Sequence, residues 1–325
     1  MRAAQVVAPG KVEFVEISRP TLRPGHVIVS PRYLSLCGSD LHMVYHSRPQ
    51  EYPFGVGSAG HEMVGVVEEA DALGNNIQAG DWVLALSPPQ LAMTECFLAP
   101  SENVFLLPKN KSPKLMLQAQ QLGTVIFACK RLPNLIGKTV VVVGQGSAGL
   151  YFDFMLRRMG ASKVIGIDLE AARVATANLF GATHAIYNAE ADALAAVSEI
   201  TNGELADVVV EAAGNPSSIN LAPSLVKPYG HLLYFGGTRV STIPFDFGLF
   251  FSKYCHTITN SGTAFEPGHI STKQALKMVA SGEIDVEPLI THTFVFERVL
   301  DAYQMAHTRS DNCIKILVEL SGGVA

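Results

Sequence analysis

Three side chains of the kinds that hold zinc stand close together near the start of the chain. Cys37 lies in SLCGSDLH (Ser35 to His42), and His61 and Glu62 lie in SAGHEMVGVV (Ser58 to Val67). Thiolate, imidazole and carboxylate are zinc ligands, and a catalytic zinc keeps three of them while leaving a fourth position for water or substrate. An apolar run leads into Cys37, and Gly60 permits a turn before His61, so two neighbouring loops could bring the groups together. The residue types alone leave a second reading open. A buried cysteine is commonly a small core residue, and a histidine beside a glutamate is commonly a surface pair.

The elements that must carry these groups have two textures. Up to residue 120 the chain runs in short apolar or alternating stretches such as KVEFVEI, HEMVGVVEEA and GDWVLALS, broken by Gly, Pro, Asp and Asn. That pattern predicts an antiparallel β domain over 1–120. Over 121–284 β-branched runs alternate with helical patterns, which predicts an α/β unit with a doubly wound parallel sheet. Short strands return over 285–325, around the helical pattern RVLDAYQMAH, so the second domain reads as an insertion into the first.

The inserted domain opens with the strand TVVVVG running into GQGSAG, which sets Gly144, Gly146 and Gly149 at G-x-G-x-x-G spacing before a helix. The first glycine permits the tight turn, the second lets a pyrophosphate approach bare backbone, and the third packs helix on sheet. The helix N-terminus offers unpaired N–H groups to the phosphates. The next strand, KVIGID, ends in Asp168, placed to accept from the adenosine ribose hydroxyls and to repel a 2′-phosphate. This favours NAD(H) over NADP(H). Arg173 could instead reach a phosphate or flank the adenine. Ala213 in AAGNPS and Gly236 in FGGTR follow later strands and are candidates to line the nicotinamide half.

The 325 residues exceed the roughly 250 to 300 at which single cores stop growing. The chain is 48% hydrophobic and 16% charged with a net charge of -5, and its apolar stretches are all interrupted. No stretch approaches a membrane span, and no basic patch suits a nucleic acid. The N-terminal segment has no apolar signal region, and five scattered cysteines fit free thiols or metal ligands, so a cytoplasmic location is expected.

CGSDLH, GHEMVGVV, GDWV and the GQGSAG unit together resemble the zinc-dependent medium-chain alcohol dehydrogenase family, most nearly its polyol (sorbitol) and threonine dehydrogenase branch, over nearly the whole chain. The resemblance implies a GroES-like β-barrel catalytic domain carrying an inserted Rossmann domain. It implies one catalytic zinc on Cys37 and His61, with Glu62 binding it or standing beside it. It further implies that Ser39 holds the substrate oxygen and His42 passes the proton outward. Gln120 aligns where polyol-type relatives place a glutamate as fourth metal neighbour, with Gln121 as the alternative alignment; an amide is a weaker ligand than a carboxylate. Between GDWV and the next strand only Cys96 is present, so no four-cysteine structural zinc is expected.

The implied activity is hydride transfer between NAD(H) and a secondary alcohol or polyol and its ketone. Two alternatives share the frame: a zinc-free quinone-reductase-like enzyme using NAD(P)H, and a non-catalytic NAD(H)-binding protein. Tyr45, His46 and Arg48 follow the implied relay histidine and read as a solvated loop. The Phe-rich run before CHTITNSG marks an edge where a second copy could pair, so a homodimer or homotetramer is expected.

Overall fold

Runs of Val and Ile with no polar alternation need cover on both faces, and the chain supplies it with helices. In the computed structural model, which describes residues 1–71, 76–86, 90–238, 240–260, 262–263 and 266–320, these runs form a six-stranded parallel sheet. Its order is His184–Tyr187, Lys163–Asp168, Thr139–Val143, Ala206–Glu211, Val226–Tyr234 and His256–Thr259. The strand order reverses between Thr139–Val143 and Ala206–Glu211. In doubly wound sheets a ligand crevice opens at that point, beyond the carboxyl ends of the strands. Val141, Val143, Ile165, Ile167 and Val209 form the centre of a buried cluster with the flanking helices.

The larger sheet of the other unit is mixed, with the order Ile290–Val295, Lys315–Glu319, His26–Ser35, Glu62–Ala70, Trp82–Leu86 and Val104–Leu106, and Phe97–Pro100 also paired to His26–Ser35; its first two strands run parallel and the other pairs antiparallel. The strand register decides which side chains come near Cys37. Ser35 lies opposite Glu62 on one side and Leu317 on the other, and the Leu36 N–H donates to Ile316 O. Antiparallel pairing therefore brings the start of the Lys315–Glu319 strand beside Cys37.

Contacts divide the chain into Met1–Gly123 with Glu266–Ala325, and Thr124–Phe265. The sequence places the return at 285, whereas the contacts place it at Glu266. The difference is helix Ile270–Ser281, whose buried face is Ser271, Thr272, Ala275, Met278 and Val279. A Cβ on Gly123 would come within 2.9 Å of Thr272 Cα, so this helix packs closely on the first unit. Helical periodicity shows a buried face but not which core receives it. Among the described residues no helix is long and apolar enough to cross a membrane.

Candidate functional site

The ligand-type atoms of Cys37, His61 and Glu62 all lie within 4.8 Å of one another, the one such group among the described residues. Cys37 caps the short helix Gly38–Leu41, and its N–H donates to Asp40 Oδ2 at 2.8 Å. The other oxygen of fully buried Asp40 lies 3.0 Å from His61 Nδ1 and leaves Nε2 facing Glu62 Oε1 at 3.9 Å. A carboxylate on the far ring nitrogen fixes tautomer and orientation, as metal-binding histidines require. Burial alone would lower the His61 pKa. The charge and hydrogen bond of Asp40, with Cys37, outweigh it and hold the imidazole well above its ordinary value.

His61 reaches this position from a forced turn. Ala59 has φ +68, unusual for a residue with a side chain, and its carbonyl accepts a hydrogen bond from the buried Tyr303 hydroxyl. Glu62, 1% exposed, accepts at Oε2 from the Ser35 hydroxyl and from Lys315 Nζ, the latter at 2.7 Å. Lys315 is also 1% exposed. Burial lowers its pKa, but the nearby charges of Glu62, Cys37 and Asp40 outweigh that and keep it raised. Glu62 Oε1 is buried without a hydrogen-bond partner among the described residues. Cys37, Glu62 and Asp40 thus gather around the His61 imidazole and the buried Lys315 ammonium. The donor set and the orphaned carboxylate oxygen both fit zinc.

Other expected groups fall less closely. Gln121, not Gln120, comes to the thiol, with Nε2 4.0 Å from Cys37 Sγ and Oε1 3.4 Å from Lys315 Nζ. Gln120 is buried, with Oε1 unpartnered among the described residues. Ser39 is exposed on helix Gly38–Leu41, and His42 begins the π-helical turn His42–His46 with Nδ1 buried and unpartnered among the described residues. No hydrogen bond joins Ser39 to His42 among the described residues. Tyr45 and His46 depart from the solvated loop expected of them. The Tyr45 ring stacks on His307 at 4.2 Å, and His46 lies 5.2 Å from the same ring. Arg48 is exposed and pairs with Glu51 at 2.8 Å.

The glycines of the parallel-sheet unit differ in what they permit. Gly144 has φ +97, and a Cβ there would lie 2.8 Å from Ala213 Cβ. A Cβ on Gly149 would meet Gly144 O at 1.8 Å, whereas one on Gly146 would meet nothing nearer than Arg173 Nη1 at 3.7 Å. Two glycines are therefore needed by the fold itself, while Gly146 leaves bare backbone at the helix entrance. Asp168 Oδ2 accepts from the Gln145 N–H at 2.6 Å, and Oδ1 accepts from the Glu170 N–H at 2.9 Å.

The loops after the next two strands are tied to each other. Glu211 Oε1 accepts from Ala213 N at 2.9 Å, Gly214 N at 2.7 Å and Ser218 Oγ at 2.7 Å. A Cβ on Gly236 would lie 2.3 Å from Gly214 N and 2.9 Å from Glu211 Oε2. Burial raises the Glu211 carboxyl above its ordinary range. Arg239 lies outside the described residues. Sequence reasoning passed over Lys315, Asp40 and Glu211. The signal available for Lys315 and Glu211 was a charge at an apolar strand, in CIKILVEL and DVVVE.

Residues 23–109 match the model of the alcohol dehydrogenase GroES-like domain, and residues 149–281 match that of the zinc-binding dehydrogenases. The sorbitol dehydrogenase of Bacillus subtilis is 25% identical over 98% of this chain and 97% of its own length. The D-xylulose reductase A of Aspergillus oryzae is 27% identical over 95% and 93%. Among solved structures, an alcohol dehydrogenase from Thermus sp. ATN1 superposes with a TM-score of 0.85 at 26% identity, covering 99% of this chain and 100% of that one. Both halves of the chain, in this order and over this length, make it a member of the zinc-type medium-chain alcohol dehydrogenases, an oxidoreductase family.

Proposed function

We propose that the chain interconverts a secondary alcohol of the polyol class and its ketone with NAD(H), using one zinc ion held by Cys37, His61 and Glu62. The observation that carries this reading is the convergence of those three ligand types with His61 braced by Asp40. When bound, zinc would act as a Lewis acid that lowers the pKa of a substrate hydroxyl. Ser39 Oγ would take the hydroxyl proton and His42 would carry it outward. Lys315 and Ser35 hold one oxygen of Glu62, leaving the other for the ion. Gln121, the amide beside Cys37, is the fourth neighbour we favour over Gln120. A metal-free reductase would have no use for this ligand set.

Asp168 supports NAD(H) over NADP(H), because a phosphate on the ribose would meet its carboxylate, although Arg173 stands close to Gly146. The polyol class is drawn from the sorbitol and xylulose names of the relatives. We assign a second copy of the chain to the edge strand His256–Thr259. Exposed Phe247, Phe251, Tyr254 and Tyr229 form a continuous series of ring contacts in the same unit, and the strand pairs on one side only. None of the five cysteines is joined in a disulfide, which suits a cytoplasmic location.

The test is metal analysis of purified protein beside NAD+ reduction over sorbitol, xylitol, butanediol and threonine. Cys37→Ser is expected to lose zinc and turnover while NADH binding persists. Normal turnover by that variant would remove the metal from the proposal.

A further inference from the structure

His61 is carried by the turn 57–60, whose backbone is tied down at several points. The Met93 N–H donates to Gly57 O at 2.9 Å, the Ala92 N–H donates to Gly60 O at 2.9 Å, and the Val6 N–H donates to Ser58 Oγ at 3.0 Å. A Cβ on Gly57 would lie 2.4 Å from Leu91 O, and one on Gly60 would lie 2.8 Å from Leu34 Cδ2 and 3.2 Å from Met93 N. Between these two glycines stands Ala59, fully buried and at φ +68. A residue with a Cβ holds that left-handed conformation only where its surroundings impose it.

One of the groups that reach Ala59 comes from far along the chain. Helix Val299–Thr308 buries Val299, Ala302 and Tyr303, and the hydroxyl of fully buried Tyr303 donates to Ala59 O. Burial above all, then the charge of Asp40, pushes the phenol well above its ordinary pKa, so it keeps the proton it donates. A phenylalanine would fill the same space and give the carbonyl nothing. That carbonyl belongs to the planar peptide unit joining Ala59 to Gly60, so fixing its direction fixes the rotations on either side of it. His61 follows at once, and its Nδ1 lies 3.0 Å from Asp40 Oδ1, the contact that turns Nε2 toward Glu62.

We propose that Tyr303 is a positioning residue for the metal site, and that through the Ala59 carbonyl it holds the turn that presents His61 beside Cys37 and Glu62. It is neither a ligand nor a catalytic residue. The inference rests on the reading of Cys37, His61 and Glu62 as zinc ligands.

The test measures zinc dissociation constants by competition with a chromophoric chelator, the visible spectrum of the cobalt-substituted protein, and metal-free melting temperatures. The samples are the full-length wild type, Tyr303→Phe, Ala59→Gly and the double variant. Tyr303→Phe should bind zinc about tenfold more weakly, the scale of a lost supporting hydrogen bond at a metal site, and its cobalt bands should shift. A role in packing alone would lower the melting temperature and leave both metal readings as in the wild type. Glycine takes positive φ freely, so in the Ala59→Gly background the same hydroxyl deletion should cost about threefold or less. The proposal is overturned if Tyr303→Phe binds zinc within about twofold of wild type, whatever its melting temperature. It is equally overturned if the loss recurs undiminished in the Ala59→Gly background. Failure of the wild type to bind zinc would instead remove the metal reading, and this role with it.

Discussion

Replacing Lys315 by Met tests the charge arrangement at the triad. Two unit charges 2.7 Å apart attract by about 6 kcal/mol at an effective dielectric constant of about 20. Taking each ion from water costs several kcal/mol, so the pair as a whole contributes little. Breaking it is another matter. Met fills most of the lysine's volume but leaves Glu62 buried without its ammonium partner, with only the Ser35 hydroxyl hydrogen-bonded to it, which costs about 3–5 kcal/mol. For a unit of this size that lowers the metal-free melting temperature by roughly 6–20 °C.

At the proposed metal site a divalent cation would supply the missing charge. Zinc should therefore restore much of the loss, and the zinc-dependent rise in melting temperature should be larger in Lys315→Met than in wild type. A double variant, Glu62→Gln with Lys315→Met, removes both charges and should melt well above the single variant without zinc. Differential scanning calorimetry of chelated and zinc-saturated samples reads all of these quantities. A chelated Lys315→Met protein melting within about 2 °C of wild type would refute the buried pair. So would a double variant as unstable as the single one.

The glycine loop separates fold from ligand. Gly149→Ala puts a Cβ against backbone that cannot move aside, so the unit should lose stability by about 1–3 kcal/mol or more, as seen in denaturant titration. Gly146→Ala has room in the protein alone; its melting temperature should hold while NADH affinity falls about tenfold or more, because the methyl stands where pyrophosphate approaches backbone. The pH response of the stacked pair His231 and His256, whose rings are 4.8 Å apart, has a definite sign. Burial and then the charge of His256 lower the His231 pKa, so the unfolded chain takes up protons more readily. Stability should fall as pH drops through about 6.5, and His231→Gln should flatten that fall in melting curves between about pH 5 and 8.

What the sequence displayed well was chemistry carried by adjacent elements. Gly144, Gly146, Gly149 and Asp168 sit on one strand, one turn, one helix and the next strand, so local periodicity places them. Cys37, His61 and Glu62 are recognisable by type, although their approach depends on pairing across Ser35 and Glu62. Lys315 was hidden because its position depends on a register between strands nearly three hundred residues apart in sequence. The choice between Gln120 and Gln121 turns on helical phase. One residue rotates a side chain by about 100°, finer than an unaligned sequence can set. Tyr45 and His46 look solvated in a polar stretch, yet His307 from a distant helix covers them.

Lys315 in IKILV, Asp153 in YFDFM and Glu211 in VVVE share one property: each is an ionisable group in or at the end of an apolar stretch that the fold buries completely or nearly so. Water would have been the least costly partner for any of them, so burial has to be offset by a specific neighbour or by loss of charge. Lys315 takes the first course, through Glu62, while burial pushes the Asp153 carboxyl well above its usual range. Glu211 does some of each, with three donors on one oxygen and a raised pKa. Lys315 and Glu211 then act on a side chain or backbone next to the candidate metal and nucleotide sites. A hydrophobic residue would pack as well in each place, but it could not hold Glu62 or the Ala213 turn in one orientation. Replacing each with its closest uncharged analogue, rather than with alanine, therefore separates what the group contributes by filling space from what it contributes by pointing.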